Sequence, residues 1–117
     1  MTITEELKHK TKILRLVGRF DFKARHAFNT AIEHACQDGV THIILNLKGV
    51  PYLDSSGLGL LGNMENQLRS ENKKASLVCL QEKVENLIFL ARLESRFSIY
   101  PTEEDALSGK HLSLARK

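Results

Sequence analysis

Apolar residues follow two patterns along this chain, and the two patterns alternate. Short runs of aliphatic and β-branched residues, which are typical of buried strands, occupy residues 11–18, 42–47, 76–80 and 97–100. A further strand at residues 2–5 is predicted to pair with the first run through a turn at residues 7–10. Elsewhere apolar residues recur every three or four positions, as on one face of a helix, over residues 22–36, 58–68, 84–91 and 103–107.

The resulting order of elements, ββαβαβαβα, predicts an α/β fold. A helix between two strands is the usual crossover between parallel neighbours, so most of the sheet is expected to be parallel. The first two strands have no helix between them and are expected to form an antiparallel pair. We therefore predict a single domain with a mixed, mostly parallel sheet and about four helices.

The length and composition of the chain indicate how many domains it has and what kind of protein it is. The chain has 117 residues, of which 42% are hydrophobic and 26% charged, and this suits one globular domain. We expect that domain over residues 1–108 and a flexible basic tail over residues 109–117. Because no apolar run nears the ~20 residues that span a bilayer, and the first ten residues lack signal-peptide order, we expect a cytoplasmic protein without membrane insertion.

Cysteine spacing and net charge argue against a disulfide-rich protein and against a nucleic-acid-binding protein. Cys36 and Cys79 lack CxxC spacing and are expected to be reduced thiols. The net charge of +3 is a mild bias, and the chain has no Trp. Since single-stranded nucleic acids are usually bound by aromatic side chains interleaved with cations, no nucleic-acid partner is expected.

The segment 51–59, PYLDSSGLG, joins a predicted strand to a predicted helix. The first turn of a helix has backbone N–H groups without intrahelical acceptors and carries the positive end of the helix dipole. A phosphate added to a serine there would meet donors and would bring about −1.5 to −2 charges. The simpler interpretation is N-capping, for which Asp, Ser and Gly are common residues.

Residues 45–61, LNLKGVPYLDSSGLGLL, resemble the signature of STAS-domain anti-sigma factor antagonists, the anti-anti-sigma factors of bacterial partner-switching systems. Residues 17–21, VGRFD, are similar to the segment before that family's first helix, and residues 100–107, YPTEEDAL, are similar to its closing helix. The similarity extends over nearly the whole chain and implies a STAS-like fold over residues 1–108.

The resemblance implies a regulatory protein and not an enzyme. In that family the serine after the aspartate is phosphorylated by a kinase that doubles as the anti-sigma factor, which implies Ser55 as the acceptor here, with Ser56 as the alternative acceptor and as the helix cap. The unphosphorylated chain is expected to bind this anti-sigma factor/serine kinase, and a serine phosphatase is expected to reverse the modification. The implied partner-binding surface comprises Asp21, Asp54, Ser55, Ser56, Gly57 and Leu58. The alternative function is an accessory subunit of a lipid or solute ABC transport complex.

Two positions depart from that family's pattern. Asn46 stands where many relatives carry Asp, which removes one negative charge and is expected to bear on kinase choice or phosphorylation rate. Residues 92–94, RLE, lack the glycine often found after the third helix.

Other kinds of site fit the sequence less well. Residues 57–62, GLGLLG, match G-x-G-x-x-G, with Glu82 near the position of a ribose-binding acid, but a loop separates them from the strand and a second mononucleotide-binding half is missing. Ser55 lacks the G-x-S-x-G elbow of a nucleophile. His42 lies in a predicted strand, where a hydrogen-bonded histidine is commoner than a metal ligand. We predict no catalytic residue, no cofactor and no metal.

Overall fold

The computed structural model describes residues 1–36 and 39–109. In chain order its elements are β1 (Thr2–Lys8), β2 (Thr11–Val17), a 3-10 helix (Phe22–Ala24), α1 (Arg25–Ala35), β3 (His42–Gly49), α2 (Ser55–Ser70), β4 (Lys74–Val78), α3 (Glu82–Leu90), β5 (Ser98–Tyr100) and α4 (Glu103–Ser108). The predicted order of elements and the α/β class are confirmed. The predicted tail lies outside the described residues apart from Gly109, which ends α4 in a left-handed conformation with a φ of 73°.

One sheet contains the five strands in the order β1-β2-β3-β4-β5. β1 is antiparallel to β2, and the other neighbours are parallel, which confirms the mixed sheet. The pairing of β1 with β2 continues to Lys8 and Thr11, so the turn consists of His9 and Lys10 alone. His9 has a left-handed φ of 57°, which suits a two-residue hairpin turn. The predicted first strand was therefore too short and the predicted turn too long.

The two faces of the sheet are covered unequally. Side chains of α1, α2 and α3 pack against one face and form the larger apolar cluster, which includes Phe28, Leu61 and Ile88. A smaller cluster on the opposite face consists of Ile13, Ile44, Val78, Tyr100 and, from α4, Ala106. Because β3 lies in the middle of the sheet, its consecutive residues at positions 43–45 are all buried, as expected for a strand covered on both faces.

The carboxyl end of β3 differs from its prediction. The strand continues two residues beyond Leu47 to Gly49, which lies opposite Val17 after a register irregularity between Arg15 and Val17. The connection to α2 is therefore limited to residues 50–54. Within the described part of the chain, no helix is both long enough and apolar enough to cross a membrane.

Candidate functional site

The connection before α2 is held at the carboxyl end of the sheet by the segment that follows β2. Phe20 and Leu53 form an isolated parallel bridge, and both side chains are buried. The Phe20 N–H donates to the Tyr52 carbonyl at 3.0 Å, and the Asp54 N–H donates to the Phe20 carbonyl at 3.5 Å. Because side chains alternate along extended segments, the residues flanking this buried pair face outward. They are Arg19, Asp21, Tyr52 and Asp54, and each is exposed or half-buried.

α2 begins directly against this bridge, and Gly57 makes the close contact possible. A β-carbon at position 57 would overlap the Phe20 carbonyl oxygen and lie 2.6 Å from Leu53 Cδ1. Only glycine therefore fits without movement of the backbone. Gly57 is buried, so it shapes the surface predicted from the sequence without itself facing a partner.

Two aspartates cap two neighbouring helices at this point. Asp54 Oδ1 accepts a hydrogen bond from the Gly57 N–H at 3.0 Å, and Asp21 Oδ1 accepts one from the Lys23 N–H at 3.0 Å. Asp54, and not Ser56, is thus the N-cap of α2, which corrects the capping role predicted for Ser56. The reason is that the helix already begins at Ser55, which leaves Asp54 in the extended conformation of a capping residue.

Ser55 is the first residue of α2 and is exposed, whereas Ser56 and Leu58 are half-buried. The Leu58 side chain packs against the main apolar cluster. The Ser55 hydroxyl therefore lies at the positive end of the helix dipole, beside the Asp54 carboxylate, where another protein can reach it.

Aromatic and cationic side chains lie on the same segments as the two capping aspartates. The Arg19 Cζ atom lies 4.3 Å from the centre of the Tyr52 ring, and its Nε atom lies 3.5 Å from Asp21 Oδ2. The Arg25 Cζ atom lies 4.9 Å from the centre of the Phe22 ring. Phe22 is 61% exposed and Tyr52 41% exposed. None of these four residues was predicted as part of the site. Tyr52 lies within the motif segment 45–61, and the apolar Phe20 between the charged Arg19 and Asp21 is a strand-like alternation that points to Arg19.

Tyr52 also borders a shallow groove of about 380 Å³ between the connection and α3. The groove is lined by Pro51, Tyr52, Leu53, Lys83, Asn86 and Leu87. We call the outward-facing residues Arg19, Asp21, Tyr52, Asp54 and Ser55 the Ser55 surface. The exposed rings and the mainly apolar wall of the groove offer an area that an apolar side chain of a partner could contact.

Asn46 takes part in a separate polar cluster on the α4 face of the sheet. Arg15 donates to both carboxylate oxygens of Glu103 and to Glu6 Oε1, each at 2.8 Å. The Asn46 Nδ2 group donates to Glu103 Oε2 at 2.6 Å. The hydrogen bonds from Arg15, and secondarily from Asn46, hold the pKa of Glu103 below its ordinary value against the opposing effect of burial. The Asn46 side chain thus fastens α4 to the sheet.

His42 is a hydrogen-bonded histidine on the same face. Its Nε2 atom lies 2.7 Å from the Oγ atom of the buried Ser76. Burial, and secondarily the charge of Lys74, lowers the pKa of His42 to about 4, so the ring is neutral at pH 7. Within residues 1–36 and 39–109, no three His, Cys, Asp or Glu side chains are grouped so that they could hold a metal ion.

The glycine-rich run does not form a phosphate-binding loop. Gly57, Gly59 and Gly62 all lie inside α2, within its first two turns or just beyond them. A dinucleotide site needs such glycines in the turn between strand and helix, where the backbone can approach a pyrophosphate. The placement of the three glycines argues against the nucleotide-binding alternative.

The chain is similar in sequence to the members of one protein family. The STAS domain family profile matches residues 2–106. A STAS-domain containing protein of Pseudomonas aeruginosa is 30% identical over 86 residues, which are 74% of this chain and 84% of that protein. An anti-sigma F factor antagonist of Paenibacillus polymyxa is 26% identical over 92% of this chain and 95% of its own length.

Solved structures of the anti-sigma factor antagonist SpoIIAA share the same fold. Its unphosphorylated form superimposes with a TM-score of 0.78 at 26% identity, covering 92% of this chain and 95% of that chain. Its phosphorylated form, from Bacillus, superimposes with a TM-score of 0.65 at 25% identity, covering 92% and 98%.

Proposed function

The chain belongs to the STAS domain family, and from this premise we propose that it is an anti-sigma factor antagonist of a bacterial partner-switching pathway. In the proposed cycle the unphosphorylated chain binds an anti-sigma factor that is also a serine kinase, and phosphorylation of Ser55 releases it. The observation that carries the proposal is the exposed Ser55 at the start of α2, next to the Asp54 cap, with the exposed rings of Phe22 and Tyr52 on the neighbouring segments. The names of the relatives support the same role.

The proposed reaction at Ser55 is a phosphoryl transfer from ATP. The Ser55 Oγ atom attacks the γ-phosphorus of ATP, the bond between that phosphorus and the β,γ-bridging oxygen breaks, and ADP leaves. The hydroxyl proton passes to a base of the kinase, and a phosphatase later restores the hydroxyl by transferring the phosphoryl group to water. The chemistry belongs to the two partners, and this chain supplies the acceptor in an accessible position.

The modification acts on binding through charge. A phosphate on Ser55 places about −1.5 to −2 charges on the residue next to Asp54, which adjoins the Asp21 segment across the bridge of Phe20 and Leu53. Any acidic or apolar partner surface that contacts this region would then face repulsion or a desolvation cost. The fold itself tolerates the phosphate, because the start of a helix favours negative charge.

Intact-mass analysis after incubation with the cognate anti-sigma kinase and ATP tests the acceptor. We expect the wild type and Ser56→Ala to gain the mass of one phosphate and Ser55→Ala to gain none. Ser56→Ala is the matched control, since it removes a hydroxyl from the adjacent residue. A phosphate that still appears on Ser55→Ala would overturn the assignment.

A pull-down with the same kinase, without ATP, tests the binding step. The unphosphorylated chain is expected to bind and the phosphorylated chain to be released. Binding that is equal for both forms would instead favour a constitutive docking role, as in a transport complex.

A further inference from the structure

Arg19 contacts one of the two capping aspartates, Asp21, and its two observed contacts are weak. The Arg19 side chain is 66% exposed, and its Nε atom is 3.5 Å from Asp21 Oδ2, which is long for a charge-assisted hydrogen bond. Its other contact is the face of the half-exposed Tyr52 ring. Asp21 does not depend on Arg19, because its other carboxylate oxygen caps the 3-10 helix through the Lys23 N–H. Arg19 can therefore leave both partners at little cost.

The backbone brings Arg19 close to Ser55. Arg19 precedes Phe20, whose carbonyl oxygen accepts the hydrogen bond from the Asp54 N–H, and Ser55 follows Asp54 directly. The bridge between Phe20 and Leu53 points Arg19 outward on the same side as Tyr52 and Asp54.

We propose that Arg19 senses the phosphorylation state of Ser55: when Ser55 carries a phosphate, the Arg19 guanidinium leaves the Tyr52 ring and Asp21 and pairs with the phosphate oxygens. This inference rests on the proposed phosphorylation of Ser55 and adds the residue that responds to it. A phosphate dianion is a stronger partner for arginine than a ring face or a single exposed carboxylate, since it offers several acceptor oxygens to the guanidinium fork.

The exchange changes more than charge on the partner-binding surface. Without the guanidinium stacked on it, the Tyr52 ring loses its cation–π contact and can change its orientation. Because Tyr52 also forms one wall of the groove beside α3, the shape of that groove changes together with the charge at Ser55. Phosphorylation would thus alter both the charge at Ser55 and the shape of the groove beside α3.

Titration of the phosphate by ³¹P NMR tests the pairing. Phosphoserine is incorporated at position 55 during synthesis, so that no kinase is required. A paired arginine favours the dianion and lowers the second pKa of the phosphate, which is ordinarily about 6. We expect Arg19→Gln to raise that pKa by about half a unit or more relative to the wild-type background.

Arg69→Gln is the matched control. Arg69 is also 66% exposed and is lost with the same change in net charge. It lies in the last turn of α2, roughly 20 Å from Ser55 along the helix axis. Its removal is expected to shift the phosphate pKa by less than about 0.2 units.

The proton NMR signals of the two tyrosine rings provide a second readout. Phosphorylation is expected to move the Tyr52 ring signals in the wild type but not in Arg19→Gln, while those of the buried Tyr100 stay in place. Equal phosphate pKa values in Arg19→Gln and Arg69→Gln, or Tyr52 signals that do not respond, would overturn the proposal. Failure of any kinase to modify Ser55 would instead remove the proposed function and leave these titrations unchanged.

Discussion

Two arginines of this chain lie among carboxylates, but the surroundings differ greatly. Arg15 donates three hydrogen bonds of 2.8 Å to Glu103 and Glu6, and the Glu103 side chain is only 19% exposed. Arg19 has one ionic contact at 3.5 Å and is 66% exposed. The cluster around Arg15 satisfies its charges internally and fastens α4 to the sheet. The surface around Arg19 and Ser55 leaves the guanidinium and the serine accessible, which is what a switchable binding surface requires.

The comparison predicts where substitutions change stability and where they change binding. Side chains that face outward at the Ser55 surface contribute little to the free energy of unfolding, whereas the glycine beneath them and the polar groups on the α4 face contribute more. The expected effect on stability decreases from Gly57 through His42 and Asn46 to Ser55.

The largest effect is expected from Gly57→Ala. The added methyl group would overlap the Phe20 carbonyl oxygen, so the bridge that positions Ser55 must move. We expect the free energy of unfolding to fall by about 3 kcal/mol or more, measured by urea denaturation.

Gly59→Ala is the control for this prediction. It lies two residues further along the same helix, and a β-carbon there has no neighbour within 4 Å. Because alanine is the better helix former, this variant should be more stable by about 0.5–1 kcal/mol. Equal destabilisation by the two substitutions would mean that the close contact at Gly57 does not set the geometry of the site.

The second-largest effect is a pH-dependent loss of stability that is caused by His42. Since its pKa is lowered to about 4 in the folded state, the unfolded chain binds a proton that the folded chain does not between about pH 6.5 and 4. Stability is therefore lost as the pH falls through this window, by about 2 kcal/mol. His42→Gln should remove this part of the pH dependence in urea denaturation, whereas replacement of the exposed His26 by Gln should leave it in place. An unchanged pH profile for His42→Gln would contradict the prediction.

The sequence predicted the order of elements because each strand and helix buries an apolar pattern that can be recognised locally. The bounds of β1 were wrong because Leu7 and Lys8 lie on an exposed edge strand, where no alternation marks them. The motif predicted the position of Ser55 at the start of a helix. Its surroundings could not be predicted, because they depend on contacts between distant segments, such as Arg19 with Tyr52 or Asn46 with Glu103.

Asn46→Asp is the third test and addresses the role of this residue. The substitution replaces the amide that donates to Glu103 by a carboxylate facing the same oxygen. We expect a loss of about 1–2 kcal/mol at pH 7. This loss should shrink as the pH falls, because a proton shared by the two carboxyl groups binds the folded state more tightly than the unfolded state. The exposed Asn63→Asp adds the same charge on α2 and should have little effect, and a penalty independent of pH would exclude carboxylate repulsion as the cause.

The smallest effect on stability is expected from Ser55→Asp. A negative charge in the first turn of α2 gains from the helix dipole but is opposed by the neighbouring carboxylates of Asp54 and Asp21. These contributions offset each other, so the free energy of unfolding, measured by thermal denaturation, should change by less than about 0.5 kcal/mol. Affinity for the anti-sigma partner, measured by calorimetry, should nevertheless fall about tenfold or more, which corresponds to ~1.4 kcal/mol of binding free energy. A loss of stability as large as that of Gly57→Ala would show that Ser55 is needed for the stability of the fold, which would contradict its place on the switchable surface.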